Sequence, residues 1–336
     1  MPELRQWQSL SLQATNTRPI TTTSSTEPAT VSLNNRGLAY ADGFFTTMAV
    51  VQGIILWSDY HNKRLVSHAQ ALQLNCDSAS VWAQLQPQAQ RLKRGVLKLI
   101  VTRKAQDIRG YGFTTDAAGS ACEGWLQSTP LSLTTTNYLR LSDEIRISMQ
   151  PTAHAVCLHS QLACLPPVLA GLKTLNRLDN VLASGELQRL KSNQPMIELP
   201  DTQKYSLDIG EGLVRDMSGS WVEGTMSNVF YQLSQPTSSE QQSSKSDSLL
   251  DLNKNDSNYL TQGQWYTPSM VQSGVAGVMR QVLIDALSST EYPVAIRALT
   301  DDELPQLSQL FFCNAVRGVM PMKSLTLLSG QVIEFG

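Results

Sequence analysis

The chain lacks most of the features that sort a protein quickly. No apolar run approaches the roughly 18–20 residues of a membrane-spanning helix. Residues 1–30 are polar and Thr/Ser-rich, without the apolar stretch of a secretory signal. There is no CxxC. Cys76, Cys122, Cys157, Cys164 and Cys313 lie scattered and odd in number, which points to free thiols in a reducing cytoplasm rather than a disulfide scaffold. Neither charge dominates: 26 Lys and Arg against 28 Asp and Glu leave a net charge of −2. A broadly basic nucleic-acid surface is thereby excluded. A GxSxG elbow, an HExxH helix and the GKS/T ending of a Walker loop are all missing.

What is present suits a globular enzyme. The 336 residues, at about 150 per domain, suggest two domains. Hydrophobic residues at 41% and charged residues at 16% allow a sizeable core. The first thirty residues carry no clear pattern, and order is expected from Val31. Met48 to Trp57 reads as a hairpin around Gln52-Gly53. Asp59 is placed to cap a helix bearing Leu65, Ala69 and Leu72. Val96 to Thr102 and Ile145 to Met149 read as strands. From Thr174 the spacing of Leu175, Leu178, Val181 and Leu182 is helical. Leu213 to Glu223 reads as a hairpin turning at Asp216–Gly219, continued by Val229 to Leu233. Eight of the 25 residues 234–258 are Ser, and this polar stretch reads as a flexible insertion. Strands alternating with helices indicate a mixed α/β chain: a segment 1–30, a smaller domain 31–155 and a larger domain 156–336.

Five places are candidates for chemistry. Lys173, in LAGLKTLNRLDNVLA, sits beside an expected helix start and apolar neighbours, both of which depress an amine's pKa and favour a nucleophile; a solvated surface lysine is the plain alternative. SGVAGVMRQ (Ser273–Gln281) offers small residues before a helix whose amides suit a phosphate, or merely a tight turn. Arg64, in YHNKRL, presents a guanidinium fork that matches a phosphate dianion, or a solvated helix face. Glu223 ends a strand, where a carboxylate can hold a proton on a heteroaromatic nitrogen, or simply meet water. Arg109, in RGYG, suits a substrate carboxylate, or a turn. His154, Cys157, His159 and Cys164 fall close together, but their spacing matches no common zinc pattern, so no metal is expected.

Together RGLAYADGFFTT (Arg36–Thr47), YHNKRL, RGYG, LAGLKTLNRLDNVLA, VEGTMSNVF, SGVAGVMRQ and FFCNAVRGVMP stand in the order found in fold-type-IV pyridoxal-phosphate enzymes, the class-IV aminotransferase family. The resemblance runs from about Val31 to Met322. It implies a two-domain, D-amino-acid-aminotransferase-like fold, a cytoplasmic homodimer and pyridoxal 5'-phosphate as cofactor. It implies Lys173 as the lysine bonded to the cofactor, Glu223 at the pyridine nitrogen, and Arg64 with the amides of Val278 and Met279 at the phosphate. Asn314 falls on the phosphate side and Arg109 at a substrate carboxylate. Thr46 or Thr47 is placed to protonate a leaving group. Within the family the wording is most similar to the aminodeoxychorismate lyases of folate biosynthesis, which form 4-aminobenzoate and pyruvate. A D- or branched-chain amino-acid aminotransferase is the alternative. A non-catalytic binding protein on the same fold is the third reading.

Overall fold

The computed structural model describes residues 6–10, 12, 30–114, 116–131, 137–141, 145–193, 197–198, 204–205, 208–234 and 259–335. Two compact units divide the chain: unit 1 is 1–134 with 172–177, and unit 2 is 135–171 with 178–336. The expected junction at 155/156 therefore falls inside unit 2. Residues 146–149 and 153–162 pair with a strand near the C-terminus, which ties them to that unit. Apart from Ser234, the insertion read at 234–258 lies outside the described residues. No described helix is long and apolar enough to cross a membrane.

Unit 1 contains β1 (Gln6–Leu10), α1 (Arg36–Tyr40), β2 (Gly43–Val51), β3 (Ile54–Ile55), α2 (Ser58–Ala71), α3 (Ser78–Leu92), β4 (Gly95–Arg103), α4 (Ala117–Ser120) and β5 (Cys122–Pro130). The strands form an antiparallel sheet in the order β1-β5-β4-β2-β3. Period-two alternation sends Phe44, Met48, Leu97, Leu99, Val101 and Leu126 to one face. There they pack on Leu65 and Ala69 of α2 and on Val81, Leu85 and Ala89 of α3.

Three expectations change here. Order does not wait for Val31, because Gln6–Leu10 pairs with β5. Asp59 is not the cap of α2: Trp57 holds the N-cap in a left-handed conformation and Asp59 lies in the first turn. The helix expected from Thr174 begins at Leu178, so Leu178, Val181 and Leu182 lie on it and Leu175 does not. Phe45 N donates to Lys173 O (3.0 Å) and Leu175 N to Gly43 O (3.0 Å), so strand pairing holds 173–175 extended.

Unit 2 contains β6 (Asn137–Arg140), β7 (Arg146–Met149), β8 (Ala153–Leu162), α5 (Leu178–Ser192), β9 (Ile197–Glu198), β10 (Lys204–Tyr205), β11 (Ile209–Asp216), β12 (Trp221–Gly224), β13 (Asn228–Leu233), β14 (Tyr266–Thr267), α6 (Val278–Leu287), β15 (Ala295–Ile296), β16 (Leu307–Asn314), β17 (Gly318–Thr326) and β18 (Val332–Glu334). β16 pairs with both β13 and β17, so β13-β12-β11-β8-β17-β16 closes into a small barrel. Leu213, Trp221, Val229, Tyr231, Leu310, Phe312 and Met320 belong to its core. α5 buries Ala183 and Leu187 and leaves Leu178, Val181 and Leu182 exposed.

Candidate active site

In unit 1, α2 and the segment 172–177 supply cations. Residues three or four apart on a helix share a face, so His61, Arg64 and His68 line one side of α2, and all three are buried. Lys173 N donates to His68 Nε2 at 2.8 Å. The Lys173 amine lies 4.7 Å from the centre of the Phe45 ring, a cation–π distance. Arg177 braces the same segment by donating to the carbonyls of Leu172 and Thr174.

This crowding of positive charge is visible in the titrating groups. Burial and then Arg177 push the Arg64 guanidinium down to about 10. Burial followed by Arg64, Arg177 and Lys173 pushes His68 down to about 3. His61, buried beside Arg64, is also pushed down to about 3. Both rings are therefore neutral at physiological pH.

The two threonines separate. The Thr46 hydroxyl lies 2.8 Å from His61 Nδ1 on the buried side of β2. Thr47 is on the opposite face, two residues from Phe45, the ring under the Lys173 amine. Arg109 is exposed in the loop between β4 and α4. Arg36 holds that loop by donating to the carbonyls of Tyr111 (2.9 Å) and Gly112 (3.0 Å).

In unit 2 the centre is a carboxylate. Glu223, at the end of β12, is buried. Its Oε2 accepts from Val275 N (2.9 Å) and Asn228 Nδ2 (3.3 Å), and Oε1 accepts from Asn180 Nδ2 (3.3 Å). Asn228 also donates to the Val275 carbonyl at 2.8 Å, tying β13 to the turn before α6. That turn needs its glycines. Gly274 has φ +74°, and a Cβ there would press within 3.1 Å of Glu223 Oε2; a Cβ on Gly277 would stand 1.9 Å from Asn228 Oδ1. Gly277 is the N-cap of α6 and no side chain caps the helix. The amides of Val278 and Met279 thus open a helix with no intrahelical acceptor, a setting suited to an anion.

Asn314 differs from its expected role. Its Oδ1 accepts from Val316 N (3.0 Å) and Arg317 N (2.8 Å), and its Nδ2 donates to Met226 O (3.4 Å). The side chain is used in closing the β16–β17 turn.

Sequence reading missed Glu211, a buried carboxylate in β11. Its Oε1 accepts from Gly212 N (3.0 Å), Thr225 N (3.1 Å) and Thr225 Oγ1 (2.6 Å), and its Oε2 from Ser227 Oγ (2.7 Å). It thereby fixes the turn between Glu223 and Asn228. A strand acid twelve residues ahead of Glu223 offers no local signal of that task. His68 was missed in the same way.

In unit 1 an amine over an aromatic ring accompanies a buried guanidinium, and in unit 2 a buried carboxylate accompanies an uncapped, glycine-bordered helix terminus. Residues 43–325 match the family Amino-transferase class IV, and the chain belongs to that family. The fold is the fold-type-IV arrangement of that group. The chain is 22% identical over 297 residues, 88% of each protein, to an aminodeoxychorismate lyase of Vibrio harveyi. It is similar to the crystal structure of 4-amino-4-deoxychorismate lyase from Pseudomonas aeruginosa, with a TM-score of 0.66 and 28% identity over 92% of each chain. A PLP-bound hypothetical aminotransferase from Mycobacterium tuberculosis matches in fold, with a TM-score of 0.61 and 16% identity over 92% of this chain and 88% of that one.

Proposed function

We propose that this chain is a pyridoxal-phosphate-dependent lyase that converts 4-amino-4-deoxychorismate to 4-aminobenzoate and pyruvate. The observation that carries the reading is the half-buried Lys173 amine held over Phe45, with the buried Arg64 acting on the same His68 ring that holds the Lys173 backbone. The likeness to the lyases of P. aeruginosa and V. harveyi supports the choice of substrate.

The residues present fit the cofactor by their chemistry. Lys173 would supply the amine that bonds its aldehyde. Arg64 and the amides of Val278 and Met279 would take its phosphate, and Glu223 would accept a hydrogen bond from its ring N–H. When bound, pyridoxal phosphate supplies an electron sink. With the substrate's amine in place, Lys173 would serve as the base that takes the proton from the amine-bearing carbon. The electron pair released there expels the enolpyruvyl ether oxygen, and the ring becomes aromatic. Thr47 is the proton donor assigned to the leaving oxygen, because Thr46 is engaged with His61. Arg109 is assigned to a substrate carboxylate, a role its exposure permits. Asn314 is left out of the phosphate set, since its polar atoms serve the turn. A homodimer is the proposed assembly, in keeping with the exposed Leu178, Val181 and Leu182 of α5.

The test is a product assay. Incubation of the cofactor-loaded protein with 4-amino-4-deoxychorismate is expected to release 4-aminobenzoate and pyruvate in equal amounts, with no oxo acid added. Turnover only when an amino acid and an oxo acid are supplied together would replace the lyase with an aminotransferase of D- or branched-chain amino acids, a reading favoured by the family's general chemistry.

A further inference from the structure

We propose that His68 is a positioning residue for Lys173: its ring accepts the Lys173 amide and fixes the backbone from which the amine projects. The inference rests on the reading of Lys173 as the cofactor-bonding lysine and goes beyond it.

Lys173 belongs to a segment with no regular secondary structure of its own, yet both of its backbone polar groups are bonded. Its N–H donates to His68 Nε2 at 2.8 Å, and its carbonyl accepts from Phe45 N at 3.0 Å. One bond comes from α2 and the other from β2, so two rigid elements clamp a single residue. The ring itself is held. His68 is 4% exposed, and Phe44 meets it edge-on at 5.4 Å and 64°. Its Nδ1 lies 3.3 Å from Ser67 Oγ.

An imidazole nitrogen that accepts carries no proton. The bond to Lys173 therefore places the ring proton on Nδ1, facing Ser67. Protonation of Nε2 would set an N–H against the Lys173 N–H. Arg64, Arg177 and Lys173 surround the ring and oppose that protonation. The same cations that suit an anionic cofactor thus keep His68 in the form that holds Lys173.

Two measurements test this on the full chain. Long-range proton–nitrogen spectra of protein labelled with ¹⁵N-histidine report the tautomer, and four histidines make assignment by substitution practical. A neutral Nδ1–H ring at His68 is expected; an Nε2–H or doubly protonated ring at neutral pH overturns the proposal. The second measurement strips the protein of cofactor, adds pyridoxal phosphate, quenches with borohydride at intervals and quantifies pyridoxyl-Lys173 by peptide mass spectrometry. With the ring's acceptor removed in His68→Phe, labelling of Lys173 is expected to slow about tenfold or more. His68→Gln, whose side-chain carbonyl can accept the same amide, is expected to recover most of the rate. Wild-type labelling kinetics in a folded His68→Phe protein overturn the proposal. Should His68→Phe fail to fold, the tautomer and the rate in His68→Gln still decide. Absence of label on Lys173 in the wild-type protein refutes the cofactor-bonding role of Lys173 instead, and the tautomer continues to test the clamp.

Discussion

The two halves of the candidate chemistry hold their charges in opposite ways. In unit 1, Arg64, Arg177 and Lys173 gather around two neutral histidines, and Arg64 is pushed down to about 10 by burial and Arg177. In unit 2, Glu223 and Glu211 are buried carboxylates held by neutral dipoles: Asn180, Asn228, Thr225, Ser227 and backbone amides. The difference separates two tasks. Clustered cations suit an anion, and each adds to the others' cost in low dielectric. The Glu223 carboxylate is held in place by these dipoles, with the buried Arg280 cation acting on it as well.

The comparison breaks most visibly at Lys173. Lys173→Ala is expected to lower turnover by at least about a thousandfold and to eliminate borohydride-fixed cofactor from that peptide. Retained activity would end the reading of unit 1 as the reactive half. Glu223→Gln is expected to keep the cofactor but slow product formation by about a hundredfold, because a neutral amide holds the ring proton less firmly. Wild-type turnover would leave Glu223 a structural acid only.

Glu211→Ala tests whether dipole-held carboxylates support the architecture of unit 2. Removal leaves two amides and two hydroxyls without their acceptor, and a loss of about 2–4 kcal/mol is expected in urea unfolding. A loss under about 1 kcal/mol would show that water replaces the carboxylate. Arg64→Ala sharpens the other side. Loss of one charge-assisted contact of about 1.5–3 kcal/mol weakens cofactor binding about 10–150-fold, to be read from a spectral titration; an unchanged dissociation constant would remove Arg64 from the phosphate.

The smallest expected effect is on pH dependence. Unfolded His61 and His68 take up protons near 6.5, whereas the folded rings resist until about 3. Between those values the unfolded state holds more protons. Stability is thus full above 6.5 and falls as pH drops towards 3, by about 1.4 kcal/mol per pH unit for each ring. His68→Gln should remove one ring's share of that slope. Parallel unfolding curves for the two proteins between pH 6.5 and 5 would show that His68 titrates normally.

Much of this was legible in the chain, and the exceptions have physical causes. Lys173, Arg64 and Glu223 stand in segments whose order resembles that of a known family, so they can be singled out before any fold is known. Residues 174–177 carry the same apolar spacing as the helix that follows, but two hydrogen bonds exchanged with β2 outweigh that preference. β1 was invisible because QWQSL has little apolar pattern beyond Trp7 and Leu10. α3 hides behind Gln residues and Pro87, although Val81, Leu85 and Ala89 recur at a helical interval. His68 acts on a residue 105 positions away, and Glu211 on a turn reached only after a hairpin. Contacts of that kind belong to the folded chain alone.

The excursion of residues 172–177 into unit 1 bears on biosynthesis. The nascent chain presents β2 early, but the segment that pairs with its first residues is made only after β8, a strand of unit 2. Until then the Gly43–Phe45 edge has unpaired peptide groups beside Phe44 and Phe45, the kind of edge that recruits strands from other chains. The arrival of Lys173 and Leu175 closes it. The stretch that delivers the Lys173 amine is also the one that seals the sheet, so a ribosome that stalls before it releases a chain whose β2 edge is open and prone to stick.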